Sequence, residues 1–235
     1  MLLLISALIA SCEALKPIDK LVESAMQVIA YSHLGSTIRQ CSCAEDRECV
    51  KSMEEQALQC YDECWPVFSQ ITSNPEALRK CASSKMSALS SLIGCLGTNL
   101  HSCVKTARGP QIPQVDLRRL FTIGEQQLNA TSAEVLNNDL IANIRPLAAT
   151  AILFGSCVKQ CFVDEKNGDG FCYDKKRCQP LITKNNLRSA LRSCLATINW
   201  RENLADLCQC AQDVGLRFET KDMCGILRYM RGLQG

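Results

Sequence analysis

Residues 155–180, GSCVKQCFVDEKNGDGFCYDKKRCQP, place Cys157, Cys161, Cys172 and Cys178 within 22 residues. Cys157 and Cys161 are four apart, so on a helix they share one face. The polar run 164–170, DEKNGDG, then turns the chain back, and Cys172 and Cys178 follow on the return. The simplest chemistry is a turn stapled by disulfides. Glu165, Asn167, Asp169 and Gly170 imitate the first half of an EF-hand loop. Its twelfth position, however, is Lys176, where calcium requires a bidentate Glu. A turn between half-cystines is the better reading, and no metal ligand is expected.

The start of the chain points to the same oxidising compartment. Residues 1–14, MLLLISALIASCEA, carry an apolar run of signal-peptide length, too short for a bilayer span, and end in a small residue. Cleavage after Ala14 would remove Cys12. Of the 17 cysteines, that leaves sixteen: Cys41, Cys43, Cys49, Cys60, Cys64, Cys81, Cys95 and Cys103 in one half, Cys157, Cys161, Cys172, Cys178, Cys194, Cys208, Cys210 and Cys224 in the other. An even number suits eight disulfides in a secreted, extracellular chain. Zinc fits poorly, because there are two histidines and no paired CxxC motifs.

No cysteine lies in residues 104–156, so each half is expected to close on itself with four bridges. The halves also look related: Cys60-x3-Cys64-Trp65 matches Cys157-x3-Cys161-Phe162, and the next 17-residue spacing recurs in both. The fold expected is all-α, with two disulfide-stapled helical modules joined by a helical connector. The units are a leader at 1–14, a first module at 15–109, a connector at 110–150 and a second module at 151–235.

Apolar spacing of three and four predicts helices after Pro17, from Asp46 to a break at Pro66, and from Pro75 to Gly97. Ser73-Asn74-Pro75-Glu76 is a helix start, with cap candidates, Pro in the first turn and an acid at the positive end of the dipole. Gly109-Pro110-Gln111-Ile112-Pro113 reads as the clearest break. Asp116 then caps a short helix, and Thr131–Glu134 has capping-box spacing before a run over 135–162 that Pro146 should kink. Helices over 183–198, 201–214 and 220–230 complete the chain. No stretch alternates convincingly as a strand, and aromatics are only 5%.

The chemistry on offer is sparse. His33 and His101 lie in amphipathic surroundings and suit helix ends better than general bases. Pairing of every mature cysteine would leave no thiolate nucleophile. No enzyme site and no cofactor are expected. The net charge of +2 and the lack of charge blocks exclude nucleic acid as the expected partner. No second apolar run approaches 18 residues, so no membrane span is expected. Lys175, Lys176, Arg177, Arg188 and Arg192, with Lys184 between them, are candidates for an anion patch. Asn129-Ala130-Thr131 is the one acceptable N-glycosylation sequon, since Asn74 is followed by Pro.

The order CxC, CxxxCW, NP, then GPxIP, LF, FGSCVKQCF, GFCYDKKRCQPL and a late CxC resembles secreted cysteine-rich nematode proteins with a chondroitin proteoglycan 4-like domain. The resemblance covers most of the mature chain and is densest over residues 154–181. It implies an extracellular protein of eggshell or matrix. Chondroitin in that class is attached at Ser followed by Gly, and this chain has no Ser-Gly dipeptide. The expected function is therefore a binding or matrix protein without catalytic activity, with an extracellular protein or glycan as partner. The alternative is a saposin-like lipid carrier, recognisable by an apolar groove.

Overall fold

A computed structural model describes residues 18–136, 145–197, 199–216 and Cys224. The leader at 1–14 and the helix expected over 220–230 lie outside these residues, apart from Cys224, which is helical. The all-α expectation holds. In chain order the elements are α1 (Ile18–Tyr31), β1 (His33–Gln40), α2 (Cys43–Cys64), a 3-10 turn (Trp65–Gln70) and α3 (Pro75–Asn99). Then come β2 (Gln111–Val115), α4 (Leu117–Leu136), α5 (Arg145–Gln160) and its π-helical continuation (Cys161–Lys166). The chain closes with α6 (Cys172–Lys176), β3 (Cys178–Gln179), α7 (Lys184–Leu195) and α8 (Trp200–Asp213).

Local chemistry explains most helix starts. Asn74 caps α3 by accepting from the Ala77 amide, with Pro75 in the first turn. Asp116 accepts from the Arg119 amide at 3.0 Å and opens α4. Ser42 and Glu45 form a capping box, so α2 starts at Cys43 and not at Asp46. No helix starts at Thr131, because α4 runs through residues 131–136. Pro146 lies on α5, and the kink expected there depends on residues 137–144, which lie outside the described residues.

The small sheet was not foreseen. Its order is β2-β1-β3, with β1 antiparallel to β2 and parallel to β3. The supposed break at 109–113 is half strand: Pro113 pairs with Thr37 and Ile112 with Ile38. β2 is an edge strand, so Pro113 has an outer side on which no donor is required. Gly109 ahead of it is required by space, since a Cβ there would lie 2.2 Å from the Gln40 carbonyl oxygen.

The disulfides correct the expectation that each half closes on itself. Six of the eight bridges cross between halves: Cys41–Cys178, Cys49–Cys172, Cys60–Cys161, Cys64–Cys157, Cys81–Cys210 and Cys95–Cys194. Only Cys43–Cys103 and Cys208–Cys224 stay within one half. The first four crossing bridges are nested, so residues 41–64 are joined in reverse order to residues 178–157. Cys60 and Cys64 meet Cys161 and Cys157, which sets α2 against the α5 run in opposite directions.

One core follows from that pairing. Tyr61, Trp65 and Phe68 from the first half pack with Phe154, Val158, Phe162 and Phe171 from the second. Phe154 meets Tyr61 edge-on at 5.4 Å and Trp65 at 5.8 Å, and Trp65 lies 4.5 Å from Phe68. The Trp65 indole donates to the Pro75 carbonyl at 2.8 Å. The continuous helical run Arg145–Lys166 is long and apolar enough to cross a membrane, contrary to the reading by unbroken apolar runs. Here its buried residues, Ala148, Phe154, Val158, Cys161 and Phe162 among them, serve the core.

Candidate binding groove

The loop that follows the π turn is held by side chains. Asn167 is 1% exposed, and its amide donates to Gln56 and to the Phe162 carbonyl, each at 2.8 Å. Arg118, at the start of α4, donates to the Asp164 carboxylate at 2.7 Å and to the carbonyls of Asn167 and Gly168 at 3.2 and 3.4 Å. Its guanidinium thus clamps the loop through one carboxylate and two backbone carbonyls. Gly168 has no room for a side chain, since a Cβ would meet the Asp164 carbonyl oxygen at 2.7 Å. Gly170 holds φ at +104°, a conformation open to glycine. Glu63, Cys161 and Glu165 lie close together, but the Cys161 sulfur is bonded to Cys60 and Glu63 pairs with Lys166 at 2.8 Å. A bonded sulfur offers no thiolate to a metal.

Beside this loop runs a groove of about 280 Å³. Leu34, Val115, Leu117 and Phe171 give it apolar walls, and Asp116, Arg118 and Asp174 stand among them. Leu34 is 51% exposed, and Tyr31, three residues earlier, is 64% exposed. Asp174 accepts the Phe171 amide at 2.9 Å, which fixes its carboxylate at the start of α6. Arg118 is already paired with Asp164, so Asp116 and Asp174 set an acidic sign. The groove suits a short segment that offers an apolar side chain beside a basic one.

The expected anion patch is divided and largely neutralised. Lys176 pairs with Glu48 on α2 at 2.7 Å. Arg188 and Arg192 both reach Asp19 on α1, at 2.6 and 3.6 Å, and Lys184 reaches Glu23 at 3.4 Å. Lys175 and Arg177 are exposed on and just after α6. His33 opens β1, and His101 lies just beyond α3 with φ at +46°; both are exposed. All sixteen cysteines from Cys41 to Cys224 are in bridges. Asn129 is exposed on α4. The groove itself was missed, because Leu34, Asp116 and Phe171 are far apart in sequence. The crossing pairs had a signal, two CxxxC motifs on two helices, each matching the other's spacing when read backwards.

No protein-family model, curated protein or solved structure matches the chain.

Proposed function

We propose that this is a secreted, disulfide-rich binding or matrix protein without catalytic activity, of the chondroitin proteoglycan 4-like type. The observation that carries this reading is the set of six bridges between the two halves. Cys41–Cys178 fixes the end of β1 to β3 and Cys49–Cys172 fixes α6 to α2 beside the groove, while the β2 and α4 walls, which carry no cysteine, are held by pairing with β1 and by the Arg118 contacts. A partner then meets a preorganised surface and pays little ordering entropy on binding. Extensive disulfide bonding suits an extracellular setting, and the leader-like start of the chain supports it. The acidic groove favours a protein segment with a basic side chain over a sulfated glycan. The lack of Ser-Gly favours a module without chondroitin.

A saposin-like lipid carrier is the second reading. One feature favours it: the apolar α5 run, with Leu153 at 51% exposure. Native intact mass of the protein secreted from a eukaryotic host separates the two. The expected result is sixteen hydrogens lost to eight bridges and no lipid mass. A co-purifying lipid would replace the first reading with the second, and free thiols at most positions would overturn both.

A further inference from the structure

We infer that Asn129 accepts an N-linked oligosaccharide, carried on the solvent face of α4; this rests on the secreted reading above. On α4, Arg119, Thr122, Gln126, Asn129 and Ala130 are exposed, and their spacing draws one stripe along the helix. The contacts of α4 fall elsewhere. Phe121 meets Phe162 at 5.4 Å, Ser24 of α1 donates to Gln127 at 3.1 Å, and Lys159 of α5 pairs with Glu125 at 2.9 Å. Six other described asparagines are engaged in hydrogen bonds. Asn74, Asn99, Asn167, Asn186, Asn199 and Asn203 each use the side-chain amide in an internal hydrogen bond. Among the described residues, Asn129 makes no such bond.

The transfer is a simple displacement. The Asn129 amide nitrogen attacks the anomeric carbon of an oligosaccharide carried on a polyprenyl pyrophosphate. A carbon–nitrogen bond forms, the bond from that carbon to the pyrophosphate oxygen breaks, and the lipid pyrophosphate leaves with the electron pair. The nitrogen gives up one proton, and nothing is oxidised or reduced. Thr131 supplies the hydroxyl two residues on that defines the acceptor motif. The reaction takes place on the extended chain in the secretory lumen, so the finished fold need only leave the glycan in water. The exposed stripe does so, and it places the glycan eleven residues, roughly 17 Å, along α4 from Arg118 at the groove.

The test is translation in the presence of microsomal membranes, once with the natural residues 1–14 and once with a proven signal segment in their place. The expected product carries one glycan in both cases. Peptide-N-glycosidase removes it, Asn129→Gln and Thr131→Ala prevent it, and Thr131→Ser keeps it. Glycan added only behind the foreign signal upholds the Asn129 assignment and removes the secreted reading. Product that enters the membranes without a glycan overturns the assignment.

Discussion

At Glu45 one carboxylate ties three elements together. It accepts the Ser42 amide and hydroxyl at 2.9 and 2.7 Å, and Arg39 from β1 at 2.8 Å. Arg39 also reaches the Lys176 carbonyl at 3.4 Å, which links β1, the start of α2 and the end of α6. The Arg39 and Ser42 hydrogen bonds hold the Glu45 carboxyl down at about 2. In the unfolded chain it titrates near the ordinary value of about 4.3. A depressed carboxyl stabilises the fold above the unfolded value, and that stability is lost as pH falls from there through about 2. Both side chains keep some solvent contact, so the effect is about 1 kcal/mol. Glu45→Gln should therefore lower the denaturant midpoint at pH 7, and the gap to wild type should narrow between pH 4 and pH 2. An unchanged gap in urea titrations at both pH values would show that the charge is not involved. Caps of this kind are legible when read, because they depend on residues three apart. Asn74 and Asp116 were found in this way, while Ser42-x-x-Glu45 was passed over.

At the level of the helix, neighbouring residues of α5 have opposite fates. Phe154 is 5% exposed among Tyr61, Trp65 and Phe68, whereas Leu153 is 51% exposed. Phe154→Ala should cost about 3–5 kcal/mol, and Leu153→Ala should stay within about 0.5 kcal/mol. Thermal and chemical unfolding of the two variants checks this, and similar losses in both would mean that the buried face is wrongly placed. The helical periodicity of α1, α2, α3, α7 and α8 was legible to within a few residues. β1 and β2 were not, because a short strand beside Gly35 and Pro113 has little local preference of its own. They form because Ile38 and Ile112 find each other across residues that only the tertiary fold brings together.

For the whole molecule, the crossing bridges span 93 to 137 residues of sequence. Alone, a bridge closing about 100 residues stabilises by about 4.7 kcal/mol in the chain-entropy account. Nested bridges share one loop closure, so their effects do not add, but together they make the fold resistant to heat and vulnerable to reductant. Lys105 and Arg108 are exposed between Cys103 and Cys157. A tryptic cut at either should leave one band on a non-reducing denaturing gel and two after reduction. Two bands without reductant would restore halves that close on themselves. From residue types and spacing alone came the helical class, the oxidised state of the cysteines and most helix starts. Each of these depends on composition or on contacts within one helical turn. The pairing of cysteines, the small sheet, the single core and the groove were decided by tertiary structure. Their partners are a hundred residues apart, and local spacing carries no information on which distant residue a sulfur, a strand edge or an aromatic ring will meet.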